Sequence, residues 1–406
     1  MSIERTEPMA PARRAFFRDL TAANAANGLV AFLFAASGPA VLILATGIKG
    51  GLSEADIASW LFGAFFLNGL ISIAFCFAWR QPLVFFWTMP GTVLIGPALG
   101  HMTFPEVIGA SMATGLLMLA LGVTGWVRRA MEAVPMPIVM GMVAGVFLQF
   151  GLDWVHAFEG QFWIAAAMTA AYILASAAPT LVARCPPLLV ALAAGAAVIA
   201  LSGSFAPGLE EAPMLAAPRF HVPQFSWTAM LELVVPLAIT VLVVQNGQGI
   251  AVLTAAGHTP PIDAIAVACG AGSVVTALVG SAPTCLTGPA NAIISAGGAR
   301  ETQYTAGVIV GVLGLGFGLL SPLFTRLLLA APPAFIATLA GLAMLRVLQN
   351  AFAAAFQGRF ALGALVTFLV SVAGIPIFNI GAPFWALLAG TGLSLAMERR
   401  DWRERQ

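Results

Sequence analysis

Long apolar stretches follow one another along almost the whole chain, and few folds can accommodate them. Hydrophobic residues make up 60% of the 406 residues and charged residues only 9%, whereas an average soluble domain carries about 25% charged residues. A helix needs roughly 20 apolar residues to cross a bilayer, and backbone polar groups inside the hydrocarbon must be paired within the protein. The sequence therefore predicts an all-α polytopic membrane protein.

Charges, Gly/Pro clusters and polar runs divide the chain into about 14 predicted spans. A polar loop at 205–226 separates seven spans from seven more. The basic start of the chain runs into a full-length apolar stretch, so a cleaved signal peptide is not expected. The predicted spans are 24–47, 55–79, 82–101, 105–125, 135–155, 161–183 and 187–204 before the loop, and 227–256, 260–281, 283–299, 302–322, 332–350, 359–375 and 380–398 after it.

The distribution of basic residues supports this division. If the N-terminus is cytoplasmic, only Lys49, Arg219 and Arg326 of the 18 Lys and Arg residues fall outside, as the positive-inside rule requires. Both termini are therefore predicted to be cytoplasmic and the 205–226 loop extracytoplasmic. The net charge of +1 argues against a nucleic-acid partner. Because the cysteines, at 76, 185, 269 and 285, lack metal-type spacing, neither a metal site nor a cofactor is expected.

The two halves of the chain share landmarks that indicate an internal duplication. Four pairs recur at an offset of 197 residues, as in 288 − 91: Pro39 and Pro236, Gly91 and Gly288, Arg129 and Arg326, Pro135 and Pro332. An odd number of spans per repeat would invert one half relative to the other. The predicted organisation is a tail at 1–23, a first repeat at 24–204, the loop at 205–226 and a second repeat at 227–398. Inverted repeats that meet near the midplane are common in secondary transporters.

Spans 3 and 10 are each interrupted by a Pro/Gly turn, in "WTMPGTVLI" at 87–95 and "CLTGPANAI" at 285–293. Each interrupted segment is predicted to be a short strand followed by a half-helix that begins at the bilayer centre. Such backbone is tolerated at this depth only if it is buried in protein or lines a cavity. The N-termini of the two half-helices would then face one space and could bind an anion. A proline kink packed by neighbouring helices is the alternative.

Candidate substrate contacts follow from this geometry. Gln245 and Asn246 carry amides in mid-span, where the alternative role is hydrogen bonding between helices. For the polar residues at the half-helix starts, the alternative is local capping; Ser37 and Gly38 could open room for a ring or only kink span 1. Trp87 could stack on a ring or only pack. The candidates are Gln245, Asn246, Thr287, Gly288, Pro289, Asn291, Thr88, Pro90, Gly91, Thr92, Ser37 and Gly38.

The chain resembles the BenE family of benzoate transporters in "VVQNGQGIAVLTAAGHTPPIDAIAVACGAGS", "CLTGPANAI", "VPMPIVMGMVAGV" and "LAMLRVLQ". The resemblance implies proton-coupled import of benzoate across a bacterial cytoplasmic (inner) membrane. It also implies a core domain (24–125 and 227–322), a gate domain (126–204 and 323–398) and, as in many relatives, a homodimer. Gln245 stands near the position at which related nucleobase transporters carry a glutamate. A carboxylate there would repel an anionic substrate, whereas an amide can donate a hydrogen bond to it.

Other functions remain as alternatives: transport of another anion or a nucleobase on the same fold, or a facilitated anion channel. An enzyme is not expected, because no nucleophile, base and metal ligands converge. Coupling to protons has no evident carrier in the sequence. No Asp or Glu lies near the centre of a predicted span, and Glu232 and Asp263 come closest, towards the ends of spans 8 and 9.

Overall fold

A computed structural model describes residues 12–178, 186–203, 214–377 and 380–404. Cys185 and the first part of the predicted 205–226 loop lie outside the described residues. All the predicted spans are present, and 12 of the 14 are helices. These helices are Ala22–Lys49, Glu54–Trp79, Phe104–Thr124, Met136–Gly160, Phe162–Ala177, Pro187–Ser202, Trp227–Ala255, Ile262–Ala277, Arg300–Leu319, Pro333–Phe356, Ala361–Ala373 and Ala382–Met397, which correspond to spans 1, 2, 4 to 9 and 11 to 14.

Spans 3 and 10 have the predicted broken form. In span 3, strand β1 (Phe85–Trp87) precedes the half-helix Met89–Ala98. In span 10, strand β2 (Thr284–Leu286) precedes the half-helix Gly288–Ser295. The strands pair antiparallel, with Phe86 opposite Cys285, so that each broken span satisfies the backbone of the other.

The strand register corrects the predicted pairing of landmarks in the broken spans. Thr88 and Thr287 are the residues that precede the two half-helices, and Pro90 and Pro289 occupy the same position in the first turns. The local offset is therefore 199 residues, so that Gly91 corresponds to Ala290 and not to Gly288. The predicted offset of 197 paired Gly91, the third residue of its half-helix, with Gly288, the first residue of the other.

The helix ends define two faces of the molecule. The loop face carries the C-terminal end of span 1 at Lys49, the turn at His101 and residues 214–226, whose backbone pairs with Pro105 and Leu278. The terminal face carries the N-terminal helix Ala12–Asp19 and the C-terminal helix Arg399–Arg403. In the predicted topology, the loop face is extracytoplasmic and the terminal face is cytoplasmic.

The spans pack in two groups. Spans 1 to 4 and 8 to 11 form the first group, and spans 5 to 7 and 12 to 14 form the second. Span 9 packs along span 4, and span 11 packs along spans 1 and 2, whereas span 12 packs along span 5 and span 13 along spans 5 and 14. Two short helices join the groups, Val127–Met131 at the terminal face and Ser321–Leu329 at the loop face. Arg326 of the second helix binds Glu54 at 2.8 Å. That the two groups of spans act as a core and a gate domain stays a prediction.

The predicted orientation can be tested with Phe220, whose side chain is 77% exposed on the loop face. We expect Phe220→Cys, in intact cells, to react with an impermeant thiol reagent. The matched variant Arg403→Cys, on the terminal face, should react only after lysis. The reverse pattern would contradict the predicted topology.

Candidate substrate site between the broken spans

Asn291 holds the two broken spans together. Its Oδ1 accepts a hydrogen bond from the Val84 N–H at 3.0 Å, and its Nδ2 donates to the carbonyls of Val84 at 3.0 Å and Thr287 at 2.6 Å. An unpaired backbone group costs several kcal/mol in apolar surroundings. The buried amide of Asn291 therefore supports the backbone on which the site is built, and both of its N–H groups are engaged.

Asn246 has a similar supporting role in span 8. Its Oδ1 accepts a hydrogen bond from the Leu286 N–H at 2.7 Å, and its amide also contacts the thiol of Cys269. Span 8 has π-helical geometry over Thr240–Asn246, and π segments are frequent at functional sites. Asn246 thus joins span 8 to β2, which is the inter-helix alternative raised by the sequence.

The N-termini of the two half-helices differ in how they are capped. Thr88 Oγ1 accepts a hydrogen bond from the Gly91 N–H at 3.1 Å and also lies 3.2 Å from Thr240 Oγ1, while Thr92 Oγ1 donates to the Thr88 carbonyl. Thr287 makes no such side-chain cap. The half-helix of span 10 therefore keeps a more open N-terminus, where amide N–H groups and a partial positive charge favour an anion.

A small cavity lies at this open N-terminus. Its volume is about 10 Å³, near the least that holds one water molecule. Aromatic and apolar side chains form most of its wall, so that a ring could enter only if the surrounding spans separate. The lining residues are Phe34, Ala35, Pro39, Phe86, Trp87, Met89, Thr287 and Ala290.

Trp87 lines this cavity and carries an unused hydrogen-bond donor. Its side chain is 1% exposed, and among the described residues its Nε1–H has no hydrogen-bond partner. A buried indole N–H usually finds a partner. From the sequence, Trp87 could either stack on a substrate ring or only pack against its neighbours. The signal that the sequence analysis did not use is the position of this N–H donor directly before the half-helix turn.

Gln245 and Gln248 add amides from span 8. Gln245 is buried, and its Oε1 has no hydrogen-bond partner within the described part of the chain. Gln248 is exposed, and its side chain lies against Gly288 so closely that a Cβ there would meet Gln248 Oε1 at 2.5 Å. The sequence did not select Gln248 as a substrate contact, although it follows Gln245 by one helical turn.

Span 1 meets the site differently from the prediction. Pro39 lines the small cavity, but a Cβ on Gly38 would meet Ala343 of span 12 at 2.6 Å and Leu188 of span 7 at 2.8 Å. Ser37 donates its hydroxyl to the Phe34 carbonyl at 3.1 Å. Gly38 therefore allows span 1 to approach the second group of spans, which favours the packing alternative.

A larger cavity opens between the two groups at the terminal face. It has a volume of about 560 Å³ and a largely apolar wall with charged residues at its rim, within the range of ligand pockets. Val243, Gly247 and Ile250 of span 8 form one side of it, and Pro135 and Phe360 lie on the other. Span 8 thus carries Gln245 and Gln248 beside a route to the terminal face.

At the loop face, side chains connect the two groups instead. Lys49 of span 1 forms an ion pair with Asp153 of span 5. The carboxylate of Glu232 in span 8 packs against Gly381, the residue that precedes span 14. The structure is therefore more open at the terminal face than at the loop face.

Metal ligands do not converge in the part of the chain that the structure describes. There, no group of three or more His, Cys, Asp and Glu residues could hold a metal ion. Cys76, Cys269 and Cys285 are buried free cysteines. The polar groups near the candidate site are amides, hydroxyls and backbone N–H groups.

Fourteen spans in two inverted repeats, with paired broken spans at the centre, form the architecture of membrane transporters. The family model described as "Benzoate membrane transport protein" matches residues 18–396. The chain belongs to this BenE family, and the resemblance seen in the sequence is confirmed.

Two relatives show how widely the similarity extends. The "Inner membrane protein YdcO" of Escherichia coli (strain K12) is 28% identical over 368 residues, covering 89% of this chain and 93% of that protein. The "Benzoate membrane transport protein" of Acinetobacter baylyi is 26% identical over 373 residues, covering 89% of this chain and 92% of that protein.

Solved structures show the same fold at low sequence identity. The transmembrane domain of the cyanobacterial bicarbonate transporter BicA has a TM-score of 0.61 and 17% identity, with 92% of this chain and 98% of that chain covered. SLC26A9 has a TM-score of 0.66 and 13% identity, with 94% of this chain and 65% of that chain covered. The predicted fold of seven plus seven spans in inverted repeats is therefore confirmed.

Proposed function

We propose that this protein imports benzoate or a similar aromatic carboxylate, together with protons, by alternating access across a bacterial cytoplasmic membrane. Both termini would be cytoplasmic, and the protein could act as a homodimer. The observation that carries the substrate class is the small cavity with a largely aromatic and apolar wall. It is lined by Trp87, whose indole N–H has no partner among the described residues, and by Thr287 at the open N-terminus. The name of the Acinetobacter baylyi relative supports the same substrate.

The chemistry of the cavity suits an aromatic carboxylate. The indole N–H of Trp87 and the amide N–H groups of the half-helix can donate to the carboxylate, because such donors bind oxyanions without a buried cation. Phe34, Phe86 and Met89 offer apolar surface to a ring. The oxygen of the buried Gln245 amide lacks a partner in the part of the chain that the structure describes, so its N–H₂ group could also turn towards the anion.

Alternating access would move the two groups of spans relative to each other around this site. In the structure, the cavity of about 560 Å³ lies between the groups on the terminal face, while the Lys49–Asp153 ion pair joins them on the loop face. With the predicted topology, this arrangement is an inward-facing conformation. The small cavity would widen when benzoate binds from the other side.

Uptake of labelled benzoate into proteoliposomes tests the proposal directly. We expect accumulation that increases with an inward proton gradient and is abolished by a protonophore. Accumulation of bicarbonate or a nucleobase, but not of benzoate, would assign another substrate to the same fold. Equilibration without accumulation under any gradient would indicate a facilitated channel.

Trp87→Phe tests the indole donor, because it removes the N–H and keeps an aromatic ring. Loss of a hydrogen bond to a charged group costs about 1.5–3 kcal/mol, so that benzoate affinity should fall about 10- to 150-fold. Trp60→Phe is the matched control: Trp60 also has a buried Nε1–H without a partner among the residues described, but it stacks on Phe104 and does not line the cavity. Equal affinities of the two variants would exclude Trp87 from the site.

A further inference from the structure

Glu232 is an unusual carboxylate in this molecule. Among the described Asp and Glu residues, only Asp19 and Glu232 are buried, and ionisable groups within membrane spans are expensive and usually functional. Asp19 lies in the N-terminal helix, where Arg80 binds it at 2.5 Å. Burial alone would raise the pKa of Asp19, but hydrogen bonds from Tyr304 and Arg18 lower it on balance. Asp19 is thus a stable anion.

Glu232, in contrast, has a partner that can itself gain or lose a proton. His101 Nε2 lies 3.0 Å from Glu232 Oε2. The His101 side chain is 26% exposed and the Glu232 side chain 4%, so that the imidazole lies between solvent on the loop face and the buried carboxylate. Among the described histidines, only His258 is buried; it lies on the terminal face against Gln303, where burial lowers the pKa of its imidazole.

The pair lies where the two groups of spans meet. Span 8 carries Glu232, the turn before span 4 carries His101, and Gly381 precedes span 14 in the other group. The carboxylate leaves no room for a Cβ on Gly381. No side chain caps the N-terminus of span 14, and the Glu232 carboxylate lies directly beside its N-cap residue, Gly381.

Few other charges face this pair. Span 4, which packs against the Glu232 turn, contributes Glu106, whose carboxylate accepts hydrogen bonds from the backbone and hydroxyl of Thr103 at 2.8 Å. The neighbouring parts of span 8 (Trp227–Ala229 and Val235–Ile239) and span 14 contribute no charged side chain. His101 is therefore the partner that can balance the charge of Glu232.

We propose that the His101–Glu232 pair is a proton-binding site and must hold one proton before the loop face can close. With one proton the pair is neutral overall, whichever residue carries it. Without the proton, closure would bury a net negative charge, which is costly unless it is paired. The N-terminus of span 14 supplies a partial positive charge of about 0.5, which attracts the anion but does not neutralise it.

This inference rests on the proposed function as a transporter and supplies the proton carrier that the sequence lacked. When the loop face opens, the pair would be hydrated and could take up a proton from that side. Closure would then carry the protonated pair into the contact with Gly381. The anionic substrate would bind at a separate site between the broken spans, independently of the proton.

The dependence of benzoate uptake on external pH tests the pair. Above about pH 6 the substrate carboxylate stays ionised, and a step that requires one proton can slow by up to about tenfold per pH unit. We expect wild-type uptake to fall as the pH rises from 6 to 8.5, and Glu232→Gln, which is always neutral, to lose this dependence. Asp56→Asn is the matched control, because it removes the carboxylate of a different His–carboxylate pair, Asp56 with His221, and it should keep the wild-type profile.

His101→Gln provides a second variant with a different expected result. Glu232 would then be the only proton acceptor of the pair, so that uptake should stay dependent on pH but fall over a different pH range from that of the wild type. A purely structural role would lower uptake equally at every pH. A wild-type pH profile in Glu232→Gln would overturn the proposal and indicate that the substrate itself brings the proton.

A measurement without substrate separates this inference from the identity of the cargo. A cysteine at Phe34, which lines the small cavity, reports access from the loop face to an impermeant thiol reagent. We compare labelling of Phe34→Cys with labelling of the same variant carrying Glu232→Gln, because their ratio cancels the pH-dependent ionisation of the thiol. We expect this ratio to rise with pH, because loss of the proton from the pair keeps the loop face open. A constant ratio would refute the proton site even if benzoate is transported.

Discussion

Gln245→Glu is expected to weaken benzoate binding by nearly a thousandfold at high pH. Gln245 is buried beside the broken spans, and its Oε1 has no partner among the described residues. A carboxylate at this position would face the carboxylate of the substrate. Two unit charges about 4 Å apart interact by about 4 kcal/mol at an effective dielectric constant of 20, which corresponds to that loss of affinity.

The pH dependence distinguishes repulsion from damage to the fold. Burial raises the pKa of a carboxyl group, so that the introduced glutamate can stay protonated at low pH and the loss should deepen as the pH rises. Gln245→Ala should cost only about 1–3 kcal/mol, the range for a lost hydrogen bond to a charged group. The measurement is benzoate binding to the purified variants across a pH series.

A second glutamine provides the control for a new charge. Gln161 also has a buried Oε1 without a partner in the described chain, but it precedes span 6 at the loop face, away from the broken spans. Gln161→Glu should bind benzoate as the wild type does. If Gln245→Glu also binds normally at every pH, Gln245 does not contact the substrate.

The spans could be predicted because the bilayer imposes strong rules on sequence, and a span requires a long apolar stretch. Their direction, which follows from the concentration of basic residues on one side, stays a prediction. The broken spans were predictable for the same reason: Pro289 beside Gly288, and Pro90 beside Gly91, interrupt otherwise apolar helices. The structure places a strand and a half-helix at each of these positions.

The roles of individual polar residues could not be predicted, because they depend on contacts distant in sequence. Asn291 and Gln245 are both amides in apolar surroundings, yet Asn291 is engaged by Val84, 207 residues away, while the Gln245 oxygen has no partner within the described ranges. His101 and Glu232 are 131 residues apart, and although Glu232 stood out as a carboxylate near the end of span 8, nothing in its segment indicated His101 as its partner. Sequence spacing within one helix contains no signal for such pairs.

Gly288→Val is expected to abolish transport while the protein still inserts into the membrane. Gly288 begins the half-helix of span 10, and any side chain there would occupy the position of the Gln248 side chain. The added valine would displace Gln248 and cover the open N-terminus. Gly91→Val should lower thermal stability in addition to transport. A side chain at Gly91 would collide with Thr88, whose hydroxyl caps the half-helix of span 3.

A double-mutant cycle identifies the cause at Gly288. If Gly288→Ala acts by displacing Gln248, the variant Gly288→Ala/Gln248→Ala should bind benzoate no more weakly than Gln248→Ala alone, since residues in contact show non-additive effects. Benzoate binding to all four proteins, with equal amounts of folded protein, completes the cycle. Strictly additive losses would mean that the Gly288 backbone contacts the substrate without help from Gln248, whereas wild-type binding by Gly288→Val would move the pocket away from the broken spans.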